Sequence, residues 1–432
     1  MPSMTSATTR YPESSSVQVT GAPIFAALGV GSMVVMLATE GHLNSVADTV
    51  FASLNNGLLT VIPMFAFMAH VMIRARVVDD LYDAANALVG HLRGGLGIAT
   101  VLSCTIFAAI SGSSVATALT IGSSAIPQMQ RFGYRPSDTY GVIAAGGTLG
   151  ILIPPSGPMI LYAIVTESSI GALFLAGILP GLVMAVLFSA WCMAQAAMRG
   201  DVQRAPWAGA GKVWRSVRRS VWALAMPPLV LGGIYAGIFT ASEAAAIGCL
   251  YALLVGVVVY RNFGFRDLWD TAVQTVRTSA MLFSILAAAA LFGHAVTIIR
   301  LPAQLVEAVV AIGLSPMLFI LAVMAVVFVL GMFLETIAII LITTPVVLAV
   351  LMELDIDRIW YGVLLMINLE LALITPPVGM NLFVIKGISG APLGQVIAGT
   401  WPYVLLMIAG LFLVLAVPEL ATWLPASAGY GR

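Results

Sequence analysis

Charge is what this sequence has least of. Of its 432 residues only 9% are Asp, Glu, Lys or Arg, against roughly a quarter in an average soluble domain. A chain so short of charge does not make an ordinary water-soluble protein. The formal net charge is zero, with no basic tail, so the electrostatic footprint that nucleic-acid binding requires is absent. Cysteine is scarce as well. Cys104, Cys192 and Cys249 stand alone in apolar runs with no CxxC pair, which supports neither a disulfide framework nor a metal site and leaves small buried thiols as the expectation. No HExxH occurs among the four histidines. His70 and His294 have no partner at metal-ligand spacing and read as packing residues, and the serines lack a matched histidine, so an enzyme such as an intramembrane protease fits badly.

What fills the chain instead is apolar: 60% of it. Long apolar stretches recur from Ile24 to Val417 between short polar or Gly/Pro breaks, the pattern of membrane helices about 20 residues long; a membrane barrel would alternate instead. The expected class is an all-α polytopic membrane protein. Full spans are predicted at residues 23–39, 56–73, 138–166, 172–198, 221–238, 242–260, 270–296, 359–385 and 397–417. Residues 1–22 are polar and read as a flexible lead to the first span rather than a cleaved signal. Residues 95–129 and 314–351 differ from the others. Each is an apolar arm, a Gly/Ser-type break (Ser111, Gly112, Ser113 and Ser114; then Gly331) and a second arm ending at Pro127 or Pro345. The first arm, Gly97 to Ile110, gives roughly 21 Å at about 1.5 Å per residue, short of a ~30 Å hydrocarbon core. Two re-entrant helical hairpins are predicted.

The two halves of the chain share one plan. LGILIPPSGPM at Leu149 is echoed by LALITPPVGMN at Leu371, and LAGILP ending at Pro180 by IAGTWP ending at Pro402, both 222 residues apart. With an even number of full spans in each half and one span between them, the second half is inverted relative to the first, a frequent build of secondary transporters. The predicted organisation is a first repeat at 23–198 (broken helix 138–166), a basic linker with an arm helix and connecting span at 199–241, a second repeat at 242–420 (broken helix 359–385) and a tail at 421–432. Lys and Arg near span ends prefer the cytoplasm. With the amino terminus inside, sixteen of the nineteen basic residues fall on that side, and only Arg300, Arg358 and Arg432 fall outside. The linker cluster Arg199, Arg204, Lys212, Arg215, Arg218 and Arg219 makes that side cytoplasmic, whereas the loop 40–55, assigned outside, has no Lys or Arg. The run from Ala75 to Gly95 spaces charges helically and suits an interfacial arm, with Arg74, Arg76 and Arg93 toward headgroups; KVWRSVRRSVWAL from Lys212 is similar, and a plain surface helix is the alternative for both.

The breaks carry the candidate chemistry. Non-helical backbone at membrane depth survives only where it is buried in protein or lines a wet cavity, and freed carbonyls with Ser hydroxyls are hard oxygen ligands for a small cation, while helix amino ends suit an anion. The plainer reading is that Gly and Ser only allow close helix packing. AAGGTLGILIPPSGP from Ala144 packs glycines and prolines into one span, so an unwound segment is expected, in which Thr148 and carbonyls near Gly146, Gly147 and Gly150 complete an oxygen cage with Ser111, Gly112, Ser113 and Ser114. The second half repeats the logic with Gly331 and Glu335 at the hairpin and Thr375, Pro376 and Gly379 in the broken span. Two cation sites thus flank a substrate cavity, assigned to Ser114, Thr117, Pro154, Pro155, Asn368, Glu370 and Asn381. Carboxylates in apolar segments are functional by default, which singles out Glu335 and Glu370; the alternative for each is pairing with backbone or with an Asn such as Asn368 or Asn381.

Six segments, among them ISGSSVATALTIGSSAIPQMQRFGY, AAGGTLGILIPPSGPMILYAIVTESSIGALFLAGILPG, GMFLETIAIILITTP and NLELALITPPVGMNLFVIKGISG, resemble the large permease subunit of tripartite ATP-independent periplasmic (TRAP) transporters, the DctM-like family, over nearly the whole chain. The resemblance implies a bacterial inner-membrane protein, no cofactor, Na+ as coupling ion and an elevator-like mechanism. It also implies a small four-helix permease partner and a periplasmic substrate-binding protein that delivers an organic acid such as a C4-dicarboxylate or sialic acid. It carries cation binding onto residues 111–114 with 146–150, and onto the Gly331 loop with 375–379. Ala349 stands where many members have proline, and Thr117 where subgroups vary. No extra amino-terminal helical domain is seen, so the resemblance is to the unfused subunit. A stand-alone sodium/dicarboxylate symporter or ion antiporter of related architecture is the alternative, and a purely structural membrane protein would need no mid-membrane carboxylates.

Overall fold

The computed structural model describes residues 23–199 and 206–430; the predicted lead 1–22, Arg204 and Arg432 lie outside the described residues. Among these the chain is helical throughout. It opens with α1 (Ile24–Glu40), α2 (Ser45–Leu54), α3 (Val61–Arg74) and α4 (Val77–Val89). A helix–turn–helix pair follows, α5 (Gly95–Ser111) and α6 (Ser114–Arg131), then a broken helix, α7 (Pro136–Leu152) and α8 (Gly157–Val165), and the long α9 (Ile170–Arg199). After α10 (Ala210–Tyr235) and α11 (Ala241–Leu254) the same succession returns. There is a long α12 (Phe265–Ile298), a short α13 (Leu301–Ile312), a pair α14 (Pro316–Gly331) and α15 (Thr336–Glu353), and a broken helix α16 (Arg358–Leu373) and α17 (Met380–Ser389). It closes with α18 (Leu393–Ala416) and a terminal α19 (Glu419–Pro425).

Local chemistry sets the helix ends. Thr240 and Glu243 exchange hydrogen bonds in a capping box that starts α11, satisfying donors that a helix start leaves free. Asp357 accepts from the Ile359 and Trp360 amides to start α16, Ser315 precedes Pro316 at α14, and left-handed Gly41 and Gly313 stop α1 and α13. Among the described residues seven stretches have the length and apolarity to cross a membrane: Gly57–Arg74, Pro136–Val165, Ile170–Arg199, Ala241–Val259, Phe265–Ile298, Thr336–Glu353 and Leu393–Ala416.

Several sequence expectations change. The loop predicted at 40–55 contains α2. The predicted arm at Lys212 and the span after it are one continuous helix, α10, despite Pro227 and Pro228. The element that matches α4 in the second half is α13, which the apolar pattern alone did not separate from its neighbours. Pro127 and Pro345 do not end their arms: α6 runs on to Arg131 and α15 to Glu353. A proline removes one N–H, and neighbouring helices hold the continuing segment in place.

The packing centres on α7, which touches α5, α6, α9, α16 and α18. Its approach to α18 is backbone on backbone. A methyl group on Gly141 would stand 2.0 Å from the Gly399 carbonyl oxygen, and one on Gly399 1.7 Å from that of Ser137, a small-residue contact of the kind that joins helices where lipid supplies no hydrophobic drive. The second arms of the two pairs cross over: α6 packs on α17 and α15 on α8, so each pair leans on the other half's broken helix. At the rim α1 packs on α12 around Met36, Leu291 and Ala295, and Arg74 at the end of α3 pairs with Asp267 at the start of α12 at 2.7 Å.

Candidate functional site

The first break is a tight junction of two irregular segments. α5 stops at Ser111 because Gly112 turns left-handed (φ 58°), a conformation that glycine accepts without a side-chain clash. Ser113 is extended, and its hydroxyl accepts from the Ala116 amide at 3.4 Å to start α6. The Thr117 hydroxyl donates to the Ser113 carbonyl at 2.8 Å and lies 2.9 Å from the Ser111 hydroxyl. Thr117 is fully buried and braces the loop from within. The loop is pressed onto the α7–α8 break: a methyl on Gly112 would meet the Pro155 carbonyl oxygen at 2.5 Å, and one on Gly150 the Ser113 carbonyl oxygen at 2.6 Å.

The unwound residues are 153–156, not 146–150. Pro154 and Pro155 have no N–H, so the carbonyls of Gly150 and Ile151 lose their helical donors, while residues up to Leu152 remain helical. Of the α7 glycines expected in the cage, Gly150 packs on Ser113 and Gly147 reaches Ser114 at the start of α6. Gly146 faces Cys104 Sγ on α5, and Gly147 faces Ala118 and the Ser114 carbonyl. Thr148 is turned back into its own helix and donates to the Ala145 carbonyl at 2.6 Å. Short helix-lining side chains satisfy themselves on the preceding turn more readily than across a gap.

The second junction is looser. Gly331 ends α14 and sits against Ala372 of α16, 2.6 Å from where its own methyl would stand. Glu335 occupies the N-cap of α15 without capping it, is half-buried, and has no hydrogen-bond or ion-pair partner among the described residues. The α16–α17 break runs over 374–379, where Pro377 is exposed and Pro376 half-buried. Thr375 donates to the Leu371 carbonyl at 2.6 Å, and left-handed Gly379 folds back toward the Thr375 carbonyl. No side-chain hydrogen bond joins Glu335 to this break among the described residues.

Between the junctions lies a buried polar cluster drawn from both halves. The Ser114 hydroxyl donates to Glu370 Oε1 in a very close contact. Glu370 is 1% exposed and Asn381 0%, yet Glu370 Oε2 and both amide atoms of Asn381 find no partner among the described residues. Gly147 separates them: its methyl would stand 3.1 Å from the Ser114 carbonyl oxygen and 3.3 Å from Asn381 Nδ2. Buried polar atoms are nearly always satisfied, and these three are among the buried side-chain atoms that lack a partner among the described residues. Asn368 does not belong to it. Two positions before Glu370 it projects from another side of α16 and donates to the Met324 carbonyl of α14 at 2.8 Å. Pro154 and Pro155 are buried in the first junction. The sequence offered each member of the cluster singly; that Ser114 meets Glu370 across 256 residues has no local signal. His70 bonds Thr275 at 3.1 Å, as a packing residue does.

An all-helical bundle with two interrupted helices and several stretches long and apolar enough to cross a membrane has the build of a multi-pass membrane protein. Its fold is similar to that of the YdaH transporter of Alcanivorax borkumensis (TM-score 0.66, 13% identity, covering 91% of this chain and 97% of that one). The particular family follows from sequence: residues 16–420 match the tripartite ATP-independent periplasmic transporter DctM component, and the chain belongs to that family. It is 39% identical to the C4-dicarboxylate TRAP transporter large permease protein DctM of Pseudomonas aeruginosa, over 91% of this chain and 92% of the relative. It is 32% identical to the 2,3-diketo-L-gulonate TRAP transporter large permease protein YiaN of Escherichia coli, over 93% and 94%.

Proposed function

We propose that this chain is the large permease of a tripartite system in a bacterial inner membrane, taking up an organic acid such as a C4-dicarboxylate, sialic acid or a related carboxylate, with Na+ as the coupling ion. The observation that carries the reading is the first junction, where the loop at 112–113 is pressed against the proline break at 153–156 inside the bundle. Freed carbonyls and Ser hydroxyls there are oxygen donors of the kind a small cation takes. Residues 331–335 and 374–379 form the related second site, and Ser114, Glu370 and Asn381 lie between the two, where the solute and the ions are coupled.

The paired helices α5–α6 and α14–α15 act as re-entrant hairpins. Three of their arms, α5, α6 and α14, are not among the stretches with the length and apolarity to cross, and the fourth, α15, packs on the broken helix of the other half. The two halves are inverted repeats, and the hairpins with their broken helices move as one body against a scaffold braced by α4 and α13, in elevator fashion. A small four-helix subunit and a periplasmic binding protein complete the system, the latter setting solute selectivity.

The test is uptake of radiolabelled succinate and related acids into proteoliposomes holding the permease and its small subunit, with the binding protein outside. Uptake is expected to need both an inward Na+ gradient and the binding protein. Equal uptake with K+ in place of Na+ removes the ion assignment; equal uptake without the binding protein replaces the tripartite reading with a stand-alone symporter.

A further inference from the structure

Away from the junctions, a cavity of about 1300 Å³ opens between α4 and the first turns of α10. Its α10 wall carries Lys212, Arg215, Arg218 and Arg219, spaced to share one side of the helix. All four are exposed, and none has an ion-pair partner among the described residues; Arg215 donates only to the Gly211 carbonyl at 3.2 Å. The opposite wall brings Asp80 and Asp83, two acids against four cations. Asp80 is already engaged by a hydroxyl, since Tyr260 donates to its Oδ2 at 2.8 Å. Among the described lining residues four cations stand against two acids, a surplus of two positive charges.

We propose that this cavity binds the headgroup of an anionic phospholipid. Charge complementarity argues for an anion, because a lining whose four cations outnumber its two acids, Asp80 and Asp83, leaves Lys and Arg donors for a phosphate. The surroundings argue for a lipid rather than a soluble anion. Trp207 and Trp222 line the same cavity at 56% and 37% exposure, and Trp and Tyr gather where hydrocarbon meets water. Below the cations α10 turns apolar and runs on to Tyr235, a wall along which acyl chains can lie. Basic pockets between membrane helices at the cytoplasmic face are suited to anionic headgroups. The bound lipid ties α4, the arm that packs on α5 and α6, to α10, and so steadies the frame beside the first hairpin.

The test is native mass spectrometry of the full chain with its small subunit. The protein is delipidated and then offered vesicle lipid of phosphatidylcholine with or without phosphatidylglycerol. One tightly held phosphatidylglycerol per chain is expected, with roughly five-fold weaker retention for each cation neutralised in K212Q, R215Q, R218Q and R219Q, and loss in the quadruple variant. W214A, on the exposed side of α10 away from the lining, leaves retention unchanged. Should the quadruple variant fail to fold, the single changes at exposed positions read the same stepwise loss. Equal retention of phosphatidylcholine, undiminished binding in the single variants, or displacement by excess inorganic phosphate (a soluble-anion site) each overturns the proposal, as does release of phosphatidylglycerol when a protein partner takes the cavity. The transport reading stands or falls separately.

Discussion

Gly150→Ala isolates the first junction, because the added atom lands on main chain rather than on a side chain that can rotate away. Its methyl would stand 2.5 Å from the Ser113 carbonyl carbon, 2.6 Å from the carbonyl oxygen and 2.6 Å from the Ser114 amide nitrogen. Ordinary contact needs about 3.5 Å, so α7 and the hairpin loop must part by roughly 1 Å. Within α7 alone the change is favourable, since Ala exceeds Gly by about 1 kcal/mol in a helix interior. Overpacking costs about 1–3 kcal/mol, which leaves a net loss of up to roughly 2 kcal/mol. The larger effect falls on the ion. Oxygens about 2.4 Å from a cation of this size cannot be moved by about 1 Å and still coordinate it. The half-saturating Na+ concentration for uptake is therefore expected to rise at least ten-fold, about 1.4 kcal/mol of binding, with Tm falling by a few degrees. Gly232→Ala on α10, where a methyl meets nothing within 4 Å, serves as the matched control. An unchanged Na+ dependence in G150A would refute the assignment of this junction as an ion site.

Ser113→Ala and Gly147→Leu should each abolish cation-driven uptake while leaving membrane insertion intact, checked by transport and by yield of folded protein; normal uptake with both changes removes the site. A double-mutant cycle of S114A with E370A, read by thermal unfolding in detergent, is expected to return a coupling of roughly 0.5–1.5 kcal/mol, the range for an intramolecular hydrogen bond; additive losses would mean that the contact does not tie the halves together. Gly399→Leu places side-chain atoms on the Ser137 carbonyl and should sharply reduce recovery of monodisperse protein, and wild-type recovery would show that α7 and α18 can separate. Arg74→Ala breaks a pair whose arginine is 55% exposed and should cost no more than about 1 kcal/mol, so a large drop in Tm would point to a role beyond that pair.

The helices and the two breaks were legible in the sequence because their causes are local. Apolar length marks a membrane helix wherever it occurs, and a Pro-Pro pair removes backbone donors regardless of its neighbours. The halves were legible through repetition, as the paired LIPPSGP and LITPPVG segments demonstrate. Less could be read where a helix and its surroundings compete. Thr148 looked like a cage ligand because the prolines were expected to unwind the residues before them, but a proline frees carbonyls only four residues back, so Gly146 and Gly147 stay helical. α13 was hidden because an apolar arm beside apolar spans offers no contrast.

From the sequence by itself came the class of protein, the repeat, the positions where the chain must break and the residue types able to meet a cation there, all properties of short stretches. Which of those residues actually meet was decided by tertiary structure: Gly150 against Ser113, Ser114 on Glu370, Asn381 unpartnered beside Gly147, and Asn368 turned away to α14. The physical reason is that a helix assigns each side chain an angle but not a neighbour. The neighbour depends on how closely two backbones approach, and here that closeness was set by glycines pressing against main chain, Gly150 on Ser113 and Gly141 of α7 on Gly399 of α18.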